Sequence, residues 1–279
     1  MNNGSVFPPV PADTAQAARN AIASGEAYFI LSQEMASLYA LCPRSEGEVT
    51  SEEDPVVFMR HAVVTVLQEA EAMTDRCAER ATRSSLNWSY ALHLPLNASG
   101  IPAHELCLFR QKLFSDAAAH AAFQAIREDV MGLQLWPNLL RREGEGRDGI
   151  SYVCRLNQTA WFVEALGRAL EAIASYSPDL LRRLALPHWY TQYATDLSDE
   201  LAIASSSDVE SAYQAVMKDI SHLLTGLALY SDEEPGRLPE VRRLRRSWQL
   251  DCERCDLRDR ACVFCDKCVV GVDIARWHA

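Results

Sequence analysis

The stretch that most constrains the fold begins at Pro55. Pro55 sits at a helix start and is followed by Val56, Val57, Met59, Val63, Val64, Val66 and Leu67. A helix over these residues is apolar on nearly all sides, and such a helix is stable only where other elements cover it. No apolar run in the chain reaches the roughly eighteen residues a membrane span requires. A buried central helix with other helices around it therefore defines the expected architecture, a mainly α fold.

The remaining segments supply those helices. Ala12-Asp13-Thr14 can cap a helix running to about Ser24, and Glu26 to Tyr39 suggests a second. Cys42 to Asp54 is a polar, acidic connection. After the Pro55 helix, Thr74-Asp75 offers an N-cap, Arg76 to Ser85 forms a short helix, and Leu86 to Leu92 continues as another short segment. Helices are expected at about Ala103–Leu113 and from Ser115 or Asp116 to Met131. After the glycine-rich, charged break Gly144–Gly149 they are expected at about Arg155–Tyr176, Pro178–Tyr193, Asp208–Leu229 and Pro239–Leu250. No strand-like alternation lasts more than a few residues, and no internal repeat is visible. The resulting division is residues 1–54, N-terminal helices and an acidic linker; 55–135, a helix-turn-helix-like domain; 150–250, a further helical domain; and 251–279, a small Cys-rich tail.

With 279 residues the chain can bury one large core or two smaller ones, and a hydrophobic content of 48% with 23% charged residues is ordinary for a globular protein. The N-terminal stretch Met1–Pro11 is polar and proline-rich, unlike a secretory signal, so a cytoplasmic location with reduced thiols is expected. The net charge of −11 counts against nucleic-acid binding, because phosphate contacts need Lys and Arg. Base is nevertheless concentrated in Arg76–Arg83, Arg141–Arg147 and Arg237–Arg246, and a local basic face can coexist with an acidic remainder.

Residues Ala62 to Lys112 satisfy the outline of a helix-turn-helix: a helix, a short turn at Met73-Thr74 and a second short helix. Arg76, Arg80 and Arg83 recur at helical spacing and share one face, where they could meet phosphate; Arg110 and Lys112 could add contacts. The competing reading is a solvated basic face partly neutralised by Glu79. Trp88 and Tyr90 could stack on bases, but beside Leu86 and Leu92 they read as core. His61, His93, His104, His120, His188 and His222 are dispersed and show no ligand spacing.

Cysteine usage is uneven. Cys42, Cys77, Cys107 and Cys154 lie in apolar surroundings and read as packed thiols. Cys252, Cys255, Cys262, Cys265 and Cys268 instead fall within 17 positions, as Cys-x₂-Cys followed by Cys-x₂-Cys-x₂-Cys. Four thiolates suit structural Zn²⁺ in tetrahedral geometry, and His278 could replace one of them. An iron–sulfur cluster is the less favoured occupant, because the x₃-Cys-Pro that completes ferredoxin runs is absent. The alternative is a tail with no selected role.

Several short matches in consistent order give the chain a resemblance to a known family. They are Pro11-Ala12-Asp13-Thr14-Ala15 with Ala17-Ala18-Arg19, Ala62 to Gln68, Thr74-Asp75-Arg76, Asn87 to Leu92, Leu106, and Phe109-Arg110. They continue through Leu156-Asn157, Pro178-Asp179-Leu180-Leu181, Trp189, Tyr193 and Leu238 to Trp248. In this order they resemble bacterial DDE-type insertion-sequence transposases with an InsH-type N-terminal domain. The resemblance implies DNA as a partner, together with a homodimer or the intact transposase, and no membrane. It also implies a first catalytic aspartate shortly before the Leu-Asn pair. Here that stretch is Glu143 to Ser151, where Glu145 or Asp148 would take the position. The family's other two carboxylates lie beyond the counterpart of Leu244–Trp248, and a Mg²⁺ strand-transfer site needs several converging carboxylates. The expectation is a transposase-derived DNA-binding protein without transposition activity, a regulator or competitor of the intact enzyme. A transposase fragment whose catalytic half is encoded elsewhere, or a metal- or redox-responsive helical regulator, stand as alternatives.

Overall fold

A computed structural model of the protein describes residues 7–23, 25–43, 54–144, 148–193, 209–229 and 234–253. It is mainly helical, 79% helical with no strand among the described residues. Thirteen α-helices follow one another among those residues: α1 Ala12–Ala21, α2 Ala27–Tyr39, α3 Pro55–Glu71, α4 Asp75–Ser84, α5 Leu86–Ala91, α6 Ala103–Ser115, α7 Ala117–Gly132, α8 Pro137–Gly144, α9 Gly149–Tyr176, α10 Pro178–Leu184, α11 Trp189–Gln192, α12 Val209–Ala228 and α13 Pro239–Glu253. The chain forms two compact units, and the division falls inside α9, between Val153 and Cys154.

The first unit is built around α3. Asp54 caps it by accepting from the Val56 N–H at 2.8 Å, and Pro55 occupies the first turn, where a missing N–H costs nothing. From Phe58 to Ala70 only Arg60 is not fully buried, and α2, α4, α6, α7 and α8 all pack against the helix. Each Val, Leu, Met or Phe buried here contributes roughly 1.5–3 kcal/mol. The helix ends at Ala72, whose φ of 55° places it in the left-handed region. Helices α1 and α2 pack on α5, and α2 packs on α3, so the N-terminal helices lie in the same compact unit as α3–α8.

Two buried ion pairs hold helices of this unit together. Arg127 of α7 donates from Nε and Nη2 to the two carboxylate oxygens of Glu69, each at 2.8 Å, and both residues are almost fully buried. Arg110 of α6 donates from Nη2 to Asp75 at 2.5 Å, and Gln68 donates to the other Asp75 oxygen at 2.8 Å. Each pair ties α3 or the start of α4 to a neighbouring helix. Gly149 explains how α9 can begin here: a Cβ at that position would lie 2.2 Å from Glu69 Oε2.

Further polar contacts fasten the N-terminal segment. Arg60 donates to the carbonyls of Leu92 (3.1 Å) and His93 (2.9 Å) at the end of α5. Thr14 donates to the Leu94 carbonyl at 2.8 Å. The His93 ring lies 2.6 Å from the Pro8 carbonyl through Nδ1, while its Nε2 meets Ser32. Pro8 can only accept, so Nδ1 carries the proton of that bond. His61 is buried against the Phe109 ring, and burial followed by the Arg60 charge lowers its pKa to about 4. It is therefore neutral at pH 7, and its 3.6 Å approach to Glu105 is not a charge pair there.

The second unit holds α9 from Cys154 through α13. Trp161, Phe162, Leu166, Leu170 and Ile173 of α9 meet Tyr213, Val216, Ile220, Leu223 and Leu227 of α12 and Val241 and Leu244 of α13 in one core. The expected Pro178–Tyr193 helix is broken into α10 and α11, because Pro187 cannot continue a helix. Conversely, α9 begins at Gly149 rather than about Arg155. Asp148 caps it, accepting from the Ser151 N–H at 3.0 Å and its hydroxyl at 2.7 Å, which draws part of the glycine-rich break into the helix. Helix α8 has no counterpart in the sequence expectations.

The buried groups of the first unit make its stability sensitive to charge. Arg127→Met or Glu69→Gln alone should cost about 3–5 kcal/mol in urea unfolding, because each strands a buried partner, while the Glu69→Leu/Arg127→Met pair should recover most of the loss. For His61 the folded pKa is depressed, so its stabilising contribution is complete above the unfolded value of 6.5 and is lost as pH falls toward about 4. Between pH 7.5 and 5.5 the protein should lose on the order of 1 kcal/mol more stability than a His61→Gln variant. Equal losses in the two proteins would mean that His61 is not buried in its neutral form.

Candidate nucleic-acid interface

Helix α4 is short and strongly two-faced. Thr74 caps it by accepting from the Cys77 N–H at 3.3 Å, Asp75 sits in its first turn, and Arg83 complements the carbonyl end. Ala78, Ala81 and Thr82 face inward, and α5 and α6 pack against the helix. Arg76, Arg80 and Arg83 are all exposed on the opposite side. The turn from α3 is Ala72-Met73-Thr74, three residues, which matches the helix-turn-helix outline.

The inner side of α4 is held by the loop that leads into α6. Thr82 Oγ1 accepts from the Ile101 N–H at 2.9 Å, and Glu79 Oε2 accepts from the Ala103 N–H at 3.0 Å. Gly100 adopts a φ of +85°, and a Cβ there would meet the Glu79 carbonyl at 2.8 Å. Helical spacing makes Glu79 a neutraliser of the arginine row. One of its carboxylate oxygens instead serves the first turn of α6, a long-range contact that spacing does not reveal.

Two of the five candidate phosphate contacts stand differently from the rest. Arg110 is not at the surface: it is 3% exposed and its guanidinium is engaged by Asp75 and Gln68. In the sequence it reads as an added phosphate contact, because burial by a partner 35 positions away leaves no local pattern. It acts on α4 from inside, at the residue that opens the helix. Lys112 is half-buried in the last turn of α6, where its charge complements that helix's carbonyl end. Trp88 is 2% exposed, and Tyr90 stacks on Phe29 with ring centroids 5.6 Å apart, so both belong to packing.

Asp148, one of the two positions offered for a catalytic carboxylate, is exposed and directs both carboxylate oxygens at the start of α9. Glu145 lies outside the described residues. Of the tail cysteines, Cys252 falls on α13, while Cys255, Cys262, Cys265 and Cys268 lie outside the described residues. Among the described residues no three His, Cys, Asp or Glu side chains are grouped to hold a metal. Cys42 and Cys107 are buried thiols, whereas Cys77 and Cys154 are only half-buried.

One polar cluster has no signal in the sequence. In the second unit, buried Asp219 accepts from the Tyr193 hydroxyl at 2.7 Å and lies 2.9 Å from Nε2 of the half-exposed His188. Burial and then the Asp219 carboxylate raise the pKa of the Tyr193 phenol. The cluster pins α11 to α12; its members are 26 and 31 positions apart, so no motif announces it. No known protein family, curated protein or solved structure matches this chain.

Proposed function

We propose that the protein binds DNA through α4 and descends from a DDE-type transposase without retaining strand transfer. The observation that carries the reading is the row Arg76, Arg80 and Arg83, exposed on one side of a helix whose other side is fixed to α5 and α6. A row of guanidinium groups on a rigid helix suits a phosphate backbone, since each can donate two parallel hydrogen bonds to phosphate oxygens. The buried Arg110–Asp75 pair supports the same reading by fixing the first residue of that helix. As a DNA-binding protein without catalysis it would occupy terminal sequences and act as a regulator or competitor of an intact transposase. The Cys-rich tail would take one Zn²⁺ as a structural ion, through four of Cys252, Cys255, Cys262, Cys265 and Cys268.

Replacing Arg76, Arg80 and Arg83 together with Ala should weaken binding to duplex DNA. It should also flatten the dependence of log K on log salt by roughly 0.9 for each phosphate no longer neutralised. A folded triple variant with unchanged affinity and slope would remove α4 from consideration. With Mg²⁺ or Mn²⁺ the purified protein should neither nick nor join terminal DNA; cleavage that disappears in Asp148→Ala or Glu145→Ala would reverse the reading. Elemental analysis of protein purified without chelators should find about one zinc per chain. A brown, oxygen-sensitive preparation would assign the tail to an iron–sulfur cluster instead, and the absence of either metal would dismiss it as a metal site.

A further inference from the structure

We propose that the outer face of α13 is a second DNA-backbone surface, separate from α4 and carried by the second unit. Five of the chain's 27 Lys and Arg residues (Arg237, Arg242, Arg243, Arg245 and Arg246) fall within ten positions, accompanied by a single acid, Glu240. The helix is divided cleanly by burial. Val241, Leu244 and Ser247 point into the core, while Arg242, Arg243 and Arg246 are exposed and Arg245 is half-buried.

Pairing sets Arg242, Arg245 and Arg246 apart from other arginines of the same unit. Arg155 is bridged to Glu210, Arg168 to Glu164 and Arg182 to Asp179. Among the described side chains, which do not include those of Glu234, Asp251 and Glu253, no carboxylate is paired with Arg242, Arg245 or Arg246. Like charges one helical turn apart destabilise a helix. An exposed row of this charge suits an anionic partner supplied from outside.

The apolar side of α13 identifies which kind of anion. A helix that docks on an anionic membrane needs a free apolar face to insert beside its basic one. Here Val241 and Leu244 are fully buried in the core and Trp248 packs against it, so among the described side chains of the helix the apolar face is already covered. Arg243 is also anchored, its guanidinium 5.8 Å from the centroid of the Trp161 ring. What remains is a rigid row of guanidinium groups with Arg242 and Arg246 one turn apart, about 6 Å along the axis. Successive phosphates of one strand advance about 3.4 Å along a DNA duplex, so both side chains can reach one backbone.

The test uses the full chain with Arg242→Gln/Arg246→Gln, and Arg242→Lys/Arg246→Lys as the charge-preserving control. Binding to a random-sequence duplex is followed by fluorescence anisotropy across a potassium chloride series. The Gln variant should lower the salt slope by about two, at roughly 0.9 per phosphate, and the Lys variant should keep it. The same loss should appear in the Arg76→Ala/Arg80→Ala/Arg83→Ala background, which separates this surface from α4. If only the α4 variant weakens binding, the α13 proposal is overturned; if only the α13 variant does, the α4 reading falls and this one stands. An unchanged slope with normal melting overturns it. So does a marked change in thermal stability with unaltered DNA binding, which would assign the arginines to acids of the chain itself. Binding to anionic vesicles that exceeds binding to DNA would overturn it as well.

Discussion

The first unit depends on one constraint, the burial of nearly all of α3 from Phe58 to Ala70 together with the polar groups at its C-terminal end. The apolar residues Phe58, Met59, Val63, Val64, Val66 and Leu67 supply the gain from leaving water. Gln68 and Glu69 pass into the same interior, and a buried carboxylate is tolerable only with a partner. Arg127 provides one for Glu69 and Arg110 provides one for neighbouring Asp75. These pairs come from α7 and α6, so helices that would otherwise merely touch α3 are held in a particular register. The requirement propagates to Gly149, where only the lack of a side chain lets α9 begin against the Glu69–Arg127 pair.

The surface properties of α4 follow from that interior. Asp75 opens the helix and is held from below by Arg110 and Gln68; farther along, Glu79 and Thr82 hold the loop before α6. The acidic side chains of α4 are therefore turned to structural use, and the arginines occupy the side that solvent reaches. A net charge of −11 is thus a poor guide to what a given face presents. Part of the compensating acid serves inside the protein, as Glu69, Asp75 and Asp219 do.

The second unit solves a similar problem with different means. Its core is aromatic and aliphatic, drawn from α9, α12 and α13, and its buried acid Asp219 is met by a phenol and an imidazole rather than a guanidinium. Tyr193 stays protonated because burial and the adjacent carboxylate both oppose its ionisation, so it serves Asp219 as a constant donor. The short α11 owes its place to this cluster. Four residues with no capping side chain would not hold a helix by themselves.

What the sequence determined by itself was the class of fold, the central position of α3 and the row on α4. These depend on periodicity, and periodicity is local: apolar residues on every side of Pro55–Leu67 require cover, and positions 76, 80 and 83 share a face in any helix. The cap Thr74 announced the start of α4 for the same reason, since a cap acts within three residues. Only the tertiary structure decided that Arg110 is an internal partner of Asp75, that Glu79 faces α6, and that His188, Tyr193 and Asp219 meet. Each of those outcomes joins residues between 24 and 35 positions apart. A charged side chain carries no mark of whether its partner will be water, phosphate or a buried carboxylate. That is settled by which helices pack together, and packing depends on the whole core at once.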